Sequence, residues 1–274
     1  MSTNSTSLEF TPEQKELRAR YEALKREFSE LFSLKNEMIS HDLPFLTSLY
    51  LDLIGRKLYE VYCLSLELSI LKQRMTLLQA YVNRNEAPDI EAVDKEIEVH
   101  FAEYQRRIEE EARRLTAARD YLLKGSFLSE DETKELRTIY FTIVKRLHPD
   151  INPNLTEEDK ELFIKAQAAY EMLDLKTLRL ILISLDLDNP PPIEAYKLEE
   201  MVEKLTENVR ELQSQIDKLN LEFPFIFKEK LKNEEWVKYE IESAEREIDA
   251  YKIEIEKYKQ YVILLEEWKP EFQN

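Results

Sequence analysis

His148, Pro149 and Asp150 put a base, a helix breaker and an acid side by side near the middle of the chain. Proline disfavours helical geometry in the residue before it, so a helix reaching Leu147 must stop at His148. Asp150 is then presented in a turn with its carboxylate set to accept hydrogen bonds. On these residues alone the plainer reading is a helix stop, with His148 a favourable cation at the negative end of the helix dipole. The other chemistry-bearing residues are scattered. His41 and His100 have no second histidine or cysteine at metal-ligand spacing, so no metal is expected. Cys63 is the single cysteine, which excludes an intramolecular disulfide, and it lies in an apolar helical stretch where a buried thiol is inert. No serine or cysteine has a recognisable base, and two glycines, Gly55 and Gly125, cannot build a phosphate-binding loop. With 56 acidic residues, carboxylate pairs at helical spacing arise by chance and carry no catalytic signal. The expectation is a binding protein with no cofactor, not an enzyme.

The elements that position the tripeptide are helices. Ser129 with Glu132 fits a capping box for a helix whose one face carries Leu136, Ile139, Tyr140, Ile143 and Leu147. The opposite face carries Lys134, Thr138 and Lys145, flanked by Arg137 and Arg146. Asn152-Pro153-Asn154 keeps the following loop irregular, and Thr156 with Asp159 caps the next helix. There Phe163, Ala166, Tyr170 and Leu173 recur at helical spacing, so the two helices should pack antiparallel with their apolar stripes inward.

Composition sets the wider frame. Only two glycines in 274 residues, with 35% charged and 43% hydrophobic residues, point to an all-α protein of long helices with narrow apolar stripes. A net charge of −17 argues against nucleic-acid binding by bulk electrostatics. The polar start and the lack of a membrane-length apolar run point to a cytoplasmic protein that is not membrane-bound.

Five segments are expected: a disordered tail at 1–10, a long helical arm at 11–119, a compact domain at 120–187, a proline-rich linker at 188–193 and a helical hairpin at 194–274. In the first arm Leu17, Tyr21, Leu24, Phe28 and Leu31 form an a/d seam. The signal fades near Ser40-His41-Asp42, and Pro44 restarts a helix that runs to about Asn83. A third helix, capped by Asp89, runs to about Lys124. In the C-terminal region one seam runs from Leu198 to Leu219 and another from Val237 to Leu265. Phe223-Pro224-Phe225 lies between them, which predicts an antiparallel hairpin. Such seams serve pairing within one chain or between chains equally well.

The central segment resembles the J-domain family. The likeness rests on Tyr140 through Lys145-Arg146-Leu147-His148-Pro149-Asp150 and on Phe163-Ile164-Lys165-Ala166-Gln167-Ala168-Ala169-Tyr170-Glu171-Met172-Leu173. The second stretch is similar to the family's pattern of Phe, a spacer, then Ala-Tyr-Glu-x-Leu. The resemblance implies a co-chaperone that stimulates ATP hydrolysis by a DnaK-type chaperone. It implies that Asp150 engages an arginine of that partner and that His148 and Pro149 shape the turn. It further implies that basic residues of the preceding helix, here Lys134, Arg137, Lys145 and Arg146, meet an acidic patch. The sequence departs from the pattern in two places. Of the family's first helix only Asp120-Tyr121-Leu122-Leu123-Lys124-Gly125 remains, which leaves the third helix of the arm to serve in its place. Phe141 stands where the family carries a cation. The likeness ends at this domain; the arms are expected to bind a client, a scaffold or a second copy. The alternative is a structural or adaptor protein whose J-like domain no longer stimulates a chaperone.

Overall fold

The computed structural model describes residues 11–125, 128–185 and 198–270. Among the described residues every regular element is helical, so the protein is all-α. The tail at 1–10 and the linker at 188–193 lie outside the described residues.

Helix α1 spans Pro12–Glu37 and opens with the expected capping box of Thr11 and Gln14, with Pro12 in the first turn. The break expected near Ser40 is not a break. The chain continues through a π turn at Met38–Asp42, where the Leu43 N–H donates to the Met38 carbonyl. That wider turn absorbs the irregularity that Pro44 imposes on the ladder. Helix α2 covers Leu43–Tyr50, a second π turn Leu51–Gly55 and helix α3 Arg56–Asn83. Helix α3 ends in a Schellman motif. Asn85 takes a left-handed φ of 56°, its N–H reaches the Val82 carbonyl, and that of Glu86 reaches Tyr81. Helix α4 is Ile90–Lys124, capped by Asp89. Helices α5 (Glu130–Leu147), α6 (Glu157–Glu171) and α7 (Leu175–Leu185) follow, then α8 (Leu198–Leu221) and α9 (Glu234–Glu266).

The chain divides into two compact units, residues 1–44 with 126–226, and residues 45–125 with 227–274. In the first, α5 and α6 run antiparallel: Tyr140 stacks on Tyr170 with ring centroids 4.0 Å apart, while His148 meets Phe163 at 5.2 Å. Helix α7 closes over both, and the three share a core of Leu136, Ile143, Val144, Ala166 and Leu178. Arg179 grips Glu135 through two hydrogen bonds of 2.7 and 2.6 Å, tying α7 to α5. Leu173, at the end of α6, adopts a left-handed φ of 57°, a conformation costly for a side chain with a Cβ. Its side chain packs on that core, which offsets the strain.

Helix α8 finds its partner within the first unit. It packs along α1, burying Leu198, Val202, Leu205 and Leu212 with Tyr21 and Phe28. Lys35 donates to Gln215 at 2.6 Å, near the C-terminal ends of both helices, so α1 and α8 run parallel. In the second unit α9 packs along α3. Lys57 pairs with Glu245, Glu60 with Lys252, Glu67 with Lys259 and Arg74 with Glu266. Partner numbers rise together, which only a parallel pair allows. The expected hairpin of α8 and α9 is therefore corrected to two parallel pairs within one chain. An a/d seam specifies that a partner exists but not which helix supplies it.

Helix α4 lies along α3 in the second unit. At Gly55 an added Cβ would stand 3.4 Å from Leu115 and 3.0 Å from Leu51, so the missing side chain permits close packing there. Helix α4 belongs to the second unit, and within the first unit the helix laid along α5 is α1.

Candidate partner-binding turn

Helix α5 stops where the sequence predicts. Ser129 and Glu132 form the capping box at its start, and His148 at its end is extended, with φ −71° and ψ 127°. Carbonyls at that end find partners locally. The His148 N–H donates to the Val144 carbonyl at 3.0 Å, and the His148 carbonyl accepts from the N–H groups of Ile151 and Asn152 at 3.2 and 3.0 Å. The Asn152 side-chain amide donates to the carbonyls of Lys145 and His148 at 3.1 and 3.2 Å.

His148 is 8% exposed, whereas Pro149 and Asp150 are exposed. The imidazole sits edge-on in a ring of aromatics, with Phe32 at 4.4 Å, Phe28 at 4.8 Å and Phe163 at 5.2 Å between centroids. Burial pushes its pKa down to about 4, and the nearby Asp150 carboxylate opposes this only in part. His148 is therefore neutral at pH 7, which corrects the reading of a cation at the helix end. The Asp150 N–H donates to Nδ1 at 3.1 Å, so in the neutral ring the proton resides on Nε2.

Helix α1 forms the floor of the turn. Besides Phe28 and Phe32 it supplies Tyr21, whose hydroxyl donates to the Ile151 carbonyl at 2.7 Å, and Lys25, which donates to Asn152 Oδ1 at 2.6 Å. Ile151 is fully buried in the cluster shared by α1 and α8. The far end of the α5/α6 pair is held similarly: Asn36 donates to the Tyr140 hydroxyl at 2.7 Å, and His41 Nε2 lies 3.0 Å from the Tyr170 carbonyl. Burial lowers the pKa of His41, and the hydrogen bond to the Tyr170 carbonyl opposes this only in part.

The four predicted cations do not form one open basic face. Lys134 pairs at 2.6 Å with Glu130 on its own helix. Arg137 pairs with Glu37 of α1, a carboxylate whose side chain is only 14% exposed. Lys145 is half-buried and faces the charge of Lys25, while Arg146 is exposed. Phe141 is half-buried. Sequence reasoning missed Tyr21, Lys25, Phe28, Phe32 and Asn152 as parts of this site. Tyr21 and Phe28 were visible as seam residues, but nothing in the seam identified the turn as their target.

Among the described residues no cluster of three or more His, Cys, Asp or Glu could hold a metal ion, and no helix is long and apolar enough to cross a membrane. No protein-family model, curated protein or solved structure matches this chain.

Proposed function

We propose that the α5–α7 segment is a J domain and that the protein is a cytoplasmic co-chaperone, itself not an enzyme, that stimulates ATP hydrolysis by a DnaK-type chaperone. One observation carries the reading. His148 is buried as an anchor, while Pro149 and Asp150 stand exposed on a turn whose backbone is tied on both sides. A structural helix stop needs the proline but has no use for an exposed acid beside it. In this reading Asp150 accepts a charge-assisted bond from an arginine of the partner. Lys145 and Arg146, nearest the turn, supply the positive charge that meets its acidic patch. The long helical pairs bind a client or scaffold, or join two copies.

The ion pairs of Lys134 and Arg137 favour a second reading, an adaptor whose J-like domain no longer engages a chaperone. The two separate in an ATPase assay with a DnaK-type chaperone. A co-chaperone raises the hydrolysis rate, and Asp150→Asn abolishes the increase while leaving helicity unchanged. An adaptor gives no increase with either protein.

A further inference from the structure

Tyr21 and Lys25 lie one turn apart on the same face of α1, and both reach the residues that follow Asp150. The Tyr21 hydroxyl holds the Ile151 carbonyl, and the Lys25 ammonium holds the Asn152 side-chain oxygen. Asn152 passes the restraint on, because its amide grips the carbonyls of Lys145 and His148 in the last turn of α5. A continuous chain of hydrogen bonds thus runs from α1 through the loop to the end of α5, and Asp150 rides on it. Placing these two groups here is costly. Burial pushes the Tyr21 hydroxyl up to about 12, with Glu22 adding to the rise, and it pushes the Lys25 ammonium down. An apolar pair at the same positions would hold α1 to the loop without that cost. Hydrogen bonds add direction, which van der Waals contact does not.

We infer that Tyr21 and Lys25 are positioning residues that fix the backbone at Ile151 and Asn152, so that Asp150 is held in a single presentation. The clamp stands on the geometry alone, and its use toward a chaperone rests on the proposed function. Because Ile151 shares a buried cluster with Val202 and Leu205 of α8, the α1/α8 pair backs the clamp as a unit.

The test uses the full chain with Tyr21→Phe, Lys25→Met and Lys25→Arg, and two readouts. The first is amide hydrogen exchange at Ile151 and Asn152, whose N–H groups close the turn. The second is the concentration needed for half-maximal stimulation of a DnaK-type ATPase. Losing one such hydrogen bond should speed exchange at these amides by about fivefold and raise that concentration by a similar factor. Exchange at Ile143 should not change, and Lys25→Arg should stay close to wild type. Unchanged exchange at both amides overturns the clamp. Faster exchange with undiminished stimulation overturns the positioning role. A wild-type chain that fails to stimulate counts against the co-chaperone reading, while the exchange data still decide the clamp.

Discussion

The turn after α5 and the α3/α9 pair hold together by different means. Around the turn, three aromatic rings close on one neutral imidazole, and hydrogen bonds to Tyr21, Lys25 and Asn152 fix the backbone. Along α3 and α9 the inter-helix contacts are a thin apolar seam flanked by exposed ion pairs such as Lys259–Glu67 and Lys72–Glu254. The first arrangement concentrates its stability in few groups, so single changes there are costly. The second spreads small contributions over many turns, so it tolerates substitution. A surface that must present one carboxylate in one direction needs the first kind of construction, and a spacer or scaffold needs only the second.

Breaking the turn should give the largest effect. Phe28 is buried against His148, and Phe28→Ala should cost about 3–5 kcal/mol in chemical denaturation, by lost burial and by the cavity left behind. It should also let water reach the imidazole and move its titration back toward the ordinary value.

Acid is the next lever. His148 has a pKa near 4 in the folded protein, below its ordinary 6.5. Between these values the unfolded chain binds a proton that the folded chain does not. The stability linked to His148 is therefore complete above pH 6.5 and is lost as pH falls toward 4, on the order of 3 kcal/mol in all. Denaturation followed across that window should show the slope in wild type and a flatter profile in His148→Gln.

Within the second unit the exception to spread-out stability is Arg74, which bridges α3 to both α4 and α9 through Asp94 and Glu266. Arg74→Met should cost about 1.5–3 kcal/mol, because it removes two charge-assisted bonds from a largely buried side chain. By contrast, Lys259→Ala should leave the denaturation midpoint nearly unchanged, since both partners in its ion pair are exposed. If the two substitutions proved equally costly, the contrast drawn for this unit would fail.

Local order was legible in the sequence far better than pairing. The caps at Thr11, Asp89, Ser129 and Thr156, the stop at His148 and the apolar faces of α5 and α6 all follow from short-range rules that depend on neighbours in the chain. The partners of α8 and α9 did not, because leucine and isoleucine seams are interchangeable in chemistry. The turn was visible as a motif, but its floor was not. Tyr21 and Ile151 are 130 residues apart, and no local pattern announces a bond between a hydroxyl and a distant carbonyl. The burial of His148 was illegible for the same reason: Phe28 and Phe32 reach it from another helix.

The central claim is that the exposed acid of the His148-Pro149-Asp150 turn acts on a chaperone. The direct measurement is steady-state ATP hydrolysis by a DnaK-type chaperone with increasing amounts of the wild-type chain and, separately, of Asp150→Asn. A rate that rises to a plateau with wild type and stays at the basal level with Asp150→Asn is the predicted result. Equal rates with both proteins would contradict it.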